Sequence, residues 1–185
     1  MTFLKLPKRN KKPREEGISM IIDNGYGIKL LEDFLEIGAD YIDMIKFGWG
    51  TSIITNNLKE KIQLCNKYNI KTYLGGTIFE LAVINNKIEE FFQYAKKLNI
   101  DIVEISDGTI QIDKGKKLEL IKLFSKSFIT ISELGSKIEN SILEKKVILS
   151  AIDELEAGAW KVIFEGRESG TVGIYNADYS VKKDL

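Results

Sequence analysis

The sequence contains no histidine and only one cysteine, Cys65. Without histidine there is no Ser-His or Cys-His triad and no ordinary zinc site, so acid, base and electrophile roles fall to Lys, Arg, Asp, Glu, Tyr or a hard metal ion. A lone thiol excludes an internal disulfide and any multi-thiolate metal centre, and it reads as a small core residue. No apolar run approaches the roughly 20 residues of a membrane-spanning helix. Residues 1–14 carry basic side chains but no apolar stretch followed by a cleavage site. The 27 Lys and Arg cancel the 27 Asp and Glu, so no global basic field exists to hold nucleic acid or an anionic membrane. A cytoplasmic protein is expected, with neither nucleic acid nor membrane as a partner; a homo-oligomer is allowed.

What the 185 residues do contain, at 44% hydrophobic content, is enough for one sizeable core. Short β-branched or apolar runs at 18–22, 41–47, 70–74, 102–105, 128–131 and 161–164 read as six strands. Between them lie one-faced helical stripes: Ile28, Leu31, Phe34 and Leu35; Leu58, Ile62 and Cys65; Ile88, Phe91, Phe92 and Ala95; Leu118, Ile121 and Phe124; Ile148, Ile152 and Leu155. Strands alternating with such helices make βαβ units on a parallel sheet, which fits both a β/α barrel and a doubly wound sheet. Two phrases favour the barrel. Leu35-Glu36-Ile37-Gly38-Ala39 and Leu155-Glu156-Ala157-Gly158-Ala159 echo one another where a helix ends and a strand begins, each with a glycine able to take positive φ. No Gly-x-Gly-x-x-Gly follows the first strand. The expected fold is therefore α/β, a parallel (β/α)8 TIM-type barrel of which about six units are present. Eight units need about 250 residues, so 1–185 reads as a single incomplete barrel domain with strands seven and eight missing. Residues 1–16, the only charge run, read as a solvated N-terminal arm.

In parallel β/α folds the chemistry sits where strands end and loops lead into helices. Those segments hold Asp23-Asn24-Gly25, Lys46 to Ser52, Gly75-Gly76-Thr77, Glu104 with Asp107-Gly108, Glu133 to Lys137, and Glu165 to Gly170. The cations Lys46, Lys137 and Arg167 and the carboxylates Asp23, Glu104, Asp107, Glu133 and Glu165 share one rim. Both signs together suit an anionic substrate held partly through a hard ion such as Mg²⁺. Glycines let backbone N–H groups approach phosphate oxygens. Other readings stand beside these. Gly75-Gly76-Thr77 alone is a tight turn with a helix cap. Trp49 reads as packing rather than a lid. Glu104 and Glu165 could pair with Lys46 and Arg167 instead of binding metal.

The segments Lys12-Pro13-Arg14-Glu15, Ile22-Asp23-Asn24-Gly25, Tyr41-Ile42-Asp43-Met44-Ile45-Lys46-Phe47-Gly48-Trp49-Gly50-Thr51-Ser52, Gly75-Gly76-Thr77-Ile78-Phe79-Glu80, Val103-Glu104-Ile105-Ser106-Asp107-Gly108, Ser132-Glu133-Leu134-Gly135-Ser136-Lys137, Ala157-Gly158-Ala159 and Phe164-Glu165-Gly166-Arg167-Glu168-Ser169-Gly170 resemble those of the phosphosulfolactate synthase family, in order and over nearly the whole chain. The first two look closer to its bacterial members. The resemblance implies a Mg²⁺-using β/α barrel with two further C-terminal units. It also implies addition of sulfite to phosphoenolpyruvate, yielding (2R)-phospho-3-sulfolactate, in coenzyme M or sulfolactate biosynthesis. Other roles remain open: another enolate-forming barrel enzyme, or a non-catalytic heat-stress relative.

On that reading Lys46 and Arg167 hold the anions, and Gly75, Gly76, Thr77, Ser136 and Ser169 bind substrate. Glu104, Glu133 and Glu165 hold Mg²⁺. Lys137 is the expected general acid, because an ammonium is already protonated near neutral pH whereas a carboxylic acid would have to be held so.

Overall fold

The computed structural model describes residues 3–5, 8–134, 144–164, 175–176 and 178–181. The strands β1 (Met20–Asp23), β2 (Met44–Phe47), β3 (Lys71–Leu74), β4 (Ile102–Ile105), β5 (Ile129–Leu134) and β6 (Lys161–Phe164) alternate with helices. The helices are α1 (Ile28–Gly38), α2 (Leu58–Lys67), α3 (Gly76–Ile84), α4 (Ile88–Leu98), α5 (Lys114–Phe124) and α6 (Glu144–Glu156). The six strands form one sheet in the order β1-β2-β3-β4-β5-β6, and each neighbouring pair is parallel. A doubly wound sheet would reverse its order part-way. Sequential parallel order is that of a (β/α)8 barrel, of which these are six units.

Alternation along each strand divides the apolar residues into two clusters. Ile45, Phe47, Leu74, Val103 and Ile105 face outward and pack with the helices. Met44, Tyr73, Ile102 and Ile131 face inward with Met20, Ile129 and Ile163. Helix ends follow ordinary local chemistry. Glu89 and Glu90 in the first turn of α4 and Lys96 and Lys97 in its last complement the helix dipole, and Asn99 closes it in the left-handed conformation. The Asp113 side chain caps α5 by accepting from the Lys116 N–H at 3.1 Å.

The structure differs from the sequence reading in several places. Residues Ala39–Tyr41 form a 3₁₀ turn, so β2 starts only at Met44. The expected echo of the two glycines also fails there. Gly158 has φ +115°, but Gly38 has φ −118° because the chain tightens into the 3₁₀ turn instead of reversing. A second helix, α3, begins immediately after β3, where a loop was expected. Helix α6 is rotated relative to its expected stripe: Ala151 and Glu154 are buried, while Ile148, Ile152 and Leu155 are over 40% exposed. On the face turned to α5, Glu154 meets Lys117 at 2.9 Å and Asp153 meets Lys114 at 2.5 Å.

The basic N-terminal stretch is not simply solvated. Arg14 is buried and donates to Asp43 at 2.7 Å and to the carbonyls of Asn10 and Asp40. Arg9 donates to Ser19 and to the Gly17 and Tyr41 carbonyls. These contacts tie it across the amino ends of the first strands.

Behind the sheet, Phe124 contacts the rings of Phe79, Phe91, Phe92 and Phe128 with centroids 5.2–6.2 Å apart. It joins α3, α4 and α5. Phe124→Ala should lower stability by about 3–5 kcal/mol, read as a drop in urea midpoint with unchanged slope.

Candidate active site

The carboxyl ends of β2, β3 and β4 converge on one ion pair. Lys46 and Glu104 both point inward, on strands separated by β3. The Lys46 Nζ donates to both Glu104 oxygens, at 3.0 and 2.8 Å. Glu104 is 1% exposed, whereas the Lys46 side chain keeps 15% and so remains open towards the rim. To reach Glu104, Lys46 must cross β3 at Gly75. A Cβ on Gly75 would lie 2.6 Å from Lys46 Cε, and one on Gly76 would lie 2.6 Å from Glu104 Oε1 and still nearer Ser106 Oγ. A side chain at either position would displace what it meets. The paired glycines thus have a concrete steric reason here: they clear room for Lys46, Glu104 and Ser106.

Helix α3 adds a further contact. The Gly76 N–H in its first turn donates to Glu104 Oε1 at 2.7 Å, where the positive end of the helix also favours a carboxylate. Beneath, the Tyr73 hydroxyl donates to Glu104 Oε2, and the Lys46 Nζ lies 5.3 Å from the centroid of the same ring. Burial, together with the adjacent Glu104 charge, pushes the Tyr73 phenol well above its ordinary range, so it stays protonated as a donor.

A second layer of buried charge fixes the neighbouring loops. Asp23 accepts Lys61 of α2 at 2.7 Å and the N–H groups of Gly25 and Tyr26. Glu80 of α3 accepts from Ser106 Oγ, Thr109 Oγ1 and the N–H groups of Gly108 and Thr109. Lys117 of α5 donates to Asp107, Glu154 and the Glu133 carbonyl at 2.8–2.9 Å. Sequence reasoning had not singled out Tyr73, Lys61, Glu80 or Lys117 as site residues. For the two lysines a signal existed: Lys61 lies three residues after Leu58 and four before Cys65, and Lys117 three before Leu120, so each falls on a buried helical stripe.

Of the expected site residues, the structure brings together Lys46, Glu104, Gly75 and Gly76, with half-buried Thr77 following in α3. Glu133 is buried on the inward face of β5, in register with Ile163. Ser136, Lys137, Glu165, Arg167 and Ser169 lie outside the described residues. Among the described residues no group of three or more carboxylate or thiol side chains is arranged to hold a metal ion. Of the two described carboxylates expected to bind metal, Glu104 is engaged by Lys46, Tyr73 and Gly76. Mg²⁺ commonly takes only one or two carboxylates and completes its shell with water and substrate oxygens, so a site that included Glu133 would not need a cluster of three. Trp49, expected to pack, is 64% exposed and has φ +51°, because the tight Gly48-Trp49-Gly50 turn carries it away from the core.

Two consequences are measurable. Lys46→Met strands a buried carboxylate and should cost about 3–5 kcal/mol, more than the double variant Lys46→Met/Glu104→Gln, in which no charge is left unpaired. Urea melts of the two variants check this. At alkaline pH, Tyr73 is raised above its unfolded value and the buried thiol of Cys65 is pushed up to about 12 from an ordinary value of 9.0. Both groups stay protonated in the fold while the unfolded chain ionises, so their stabilising contribution is complete below pH 9 and lost above it. The urea midpoint should fall from about pH 9 upward, and Cys65→Ala should flatten the first part of that fall.

The sequence model of the (2R)-phospho-3-sulfolactate synthase (ComA) family matches residues 7–185. A phosphosulfolactate synthase of Bacillus subtilis (strain 168) is 41% identical over 182 residues, covering 97% of this chain and 72% of that protein. One from Methanothermobacter thermautotrophicus is 40% identical over 186 residues, covering 96% and 72%. Among solved structures, a 3-hexulose-6-phosphate synthase superposes with a TM-score of 0.51 at 14% identity, covering 82% of this chain and 67% of that one. The carboxyl transferase domain of Rhizobium etli pyruvate carboxylase gives a TM-score of 0.52 at 13% identity, covering 78% and 26%. These two support the fold alone. The family match and the identities together establish that the chain belongs to the (2R)-phospho-3-sulfolactate synthase family.

Proposed function

We propose that the chain forms (2R)-phospho-3-sulfolactate, the product its family's name gives, and does so by adding sulfite to phosphoenolpyruvate. The observation that carries this reading is the Lys46 ammonium, fixed by Glu104 at the carboxyl end of the strands yet open to the rim. A cation held in this way can receive an anion without reorganising, which is where electrostatic catalysis gains most.

In this reaction the sulfur lone pair of sulfite forms a bond to the methylene carbon. The carbon–carbon double-bond electrons move towards the carboxylate as an enolate, and the carbon bearing phosphate then takes a proton. Both reactants are anions, so cations must offset their repulsion. Lys46 serves one of them and Arg167, outside the described residues, the other. Thr77 at the start of α3, with Ser136 and Ser169, contributes donors to the phosphate. The Gly76 N–H is already given to Glu104, so Gly75 and Gly76 act by making room. Lys137 is the proposed proton donor. Mg²⁺, held by Glu133 and by Glu165 beyond the described residues, would supply a hard Lewis acid for the substrate carboxylate.

The test is consumption of phosphoenolpyruvate with and without sulfite. Consumption that depends on sulfite, with a sulfonated phosphate ester as product, is the expected result. Consumption without sulfite would instead indicate another enolate-forming activity. Lys46→Met should act chiefly on KM. Lys137→Met should lower kcat by about 10² to 10⁴ with substrate binding kept; a change in KM alone would make Lys137 a binding residue.

A further inference from the structure

Tyr73 is fully buried in the inward cluster, among Met44, Ile102 and Ile131. A phenylalanine would fill the same space and avoid placing a hydroxyl in apolar surroundings, which costs free energy unless a partner is found. The partner is Glu104 Oε2. The same ring carries Lys46 Nζ over its face at 5.3 Å. One side chain therefore touches both halves of the ion pair, the hydroxyl orienting the carboxylate and the ring flanking the ammonium.

Lysine ends a flexible four-carbon stem, and its ammonium is a point charge without the fixed fork of arginine. Its direction must be imposed from outside. Here the chain of constraint is continuous: Tyr73 and the Gly76 N–H set the plane of Glu104, and the two oxygens of Glu104 set Lys46. The missing Cβ of Gly75 leaves the stem room to pass. We propose that Tyr73 is a positioning residue that acts through Glu104 to hold the Lys46 ammonium where it receives the substrate anion. Glu104 on this view serves Lys46 rather than a metal ion. The substrate part rests on the function proposed above; the positioning part does not.

Two readouts separate them. Reductive methylation with peptide mapping reports how tightly Lys46 is held, whatever the ligand. Calorimetric titration with phosphoenolpyruvate reports binding. Tyr73→Phe keeps the ring and loses the hydroxyl. It should speed methylation of Lys46 and weaken phosphoenolpyruvate binding, each about tenfold, the scale of one hydrogen bond to a charged group. Glu104→Gln should reproduce both effects, and serves as the second variant if Tyr73→Phe folds poorly. In a Lys46→Met background, Tyr73→Phe should weaken binding no further, since its effect passes through Lys46. Unchanged Lys46 reactivity in folded Tyr73→Phe would overturn the proposal, as would an undiminished effect of Tyr73→Phe in the Lys46→Met background. Faster methylation in a protein whose wild type does not bind phosphoenolpyruvate would leave the positioning role standing and remove the proposed substrate.

Discussion

The pair of half-buried Lys46 and buried Glu104 is the constraint from which much of the local structure follows. Desolvating two charges is expensive, and their mutual attraction repays it only when the remaining hydrogen-bonding capacity is also used. Glu104 meets that condition with Lys46 on both oxygens, the Gly76 N–H on one and the Tyr73 hydroxyl on the other. Each contact restricts a neighbour. Gly75 and Gly76 have no room for a Cβ, α3 must start within one turn of β3 for its first N–H to reach the carboxylate, and Tyr73 must occupy an inward position on β3. The absence of a loop between β3 and α3 is a consequence of the ion pair.

The same device recurs behind the sheet in a different form. Lys61, Glu80 and Lys117 sit on helices, all three buried, and each reaches a strand end or the loop after it. Lys61 holds Asp23 at the end of β1, Glu80 gathers Ser106, Gly108 and Thr109 after β4, and Lys117 links Asp107 to the β5 backbone and to α6. Loops at a catalytic rim are usually the mobile part of such a fold. Here charged anchors replace flexibility with fixed direction, which suits the proposed reaction, in which two anions would be kept close without rearrangement.

Much of this was legible in the sequence. Six parallel strands, one-faced helices and the clustering of charged and glycine-rich segments at the strand ends follow from periodicities of 2 and 3.6 residues and from the direction in which βαβ units run. The motif around Lys46 and the glycine pair after β3 were recognisable as site material. The role of those glycines was less legible. A glycine pair before a helix reads as a phosphate cradle, and only the path of Lys46 across β3 reveals the steric demand on it. Likewise, Glu104 as a string character was equally an ion-pair partner or a metal ligand, because one carboxylate beside one lysine in sequence order carries no distance.

The chain by itself determined what depends on neighbours in sequence: which segments are strands, where a helix ends, as at the left-handed Gly158, and which residues of α2, α4 and α5 face the sheet. Tertiary structure decided what depends on residues far apart. It placed Lys46 against Glu104, 58 positions away, turned α6 so that Glu154 met Lys117 rather than leaving Ile148 and Ile152 in the core, and drew Arg14 under the strands onto Asp43. The physical reason is common to all three. Apolar periodicity is a local average over one helical turn or one pleat, whereas a buried charge is satisfied by a single atom, and which atom that is depends on how the whole chain closes around it.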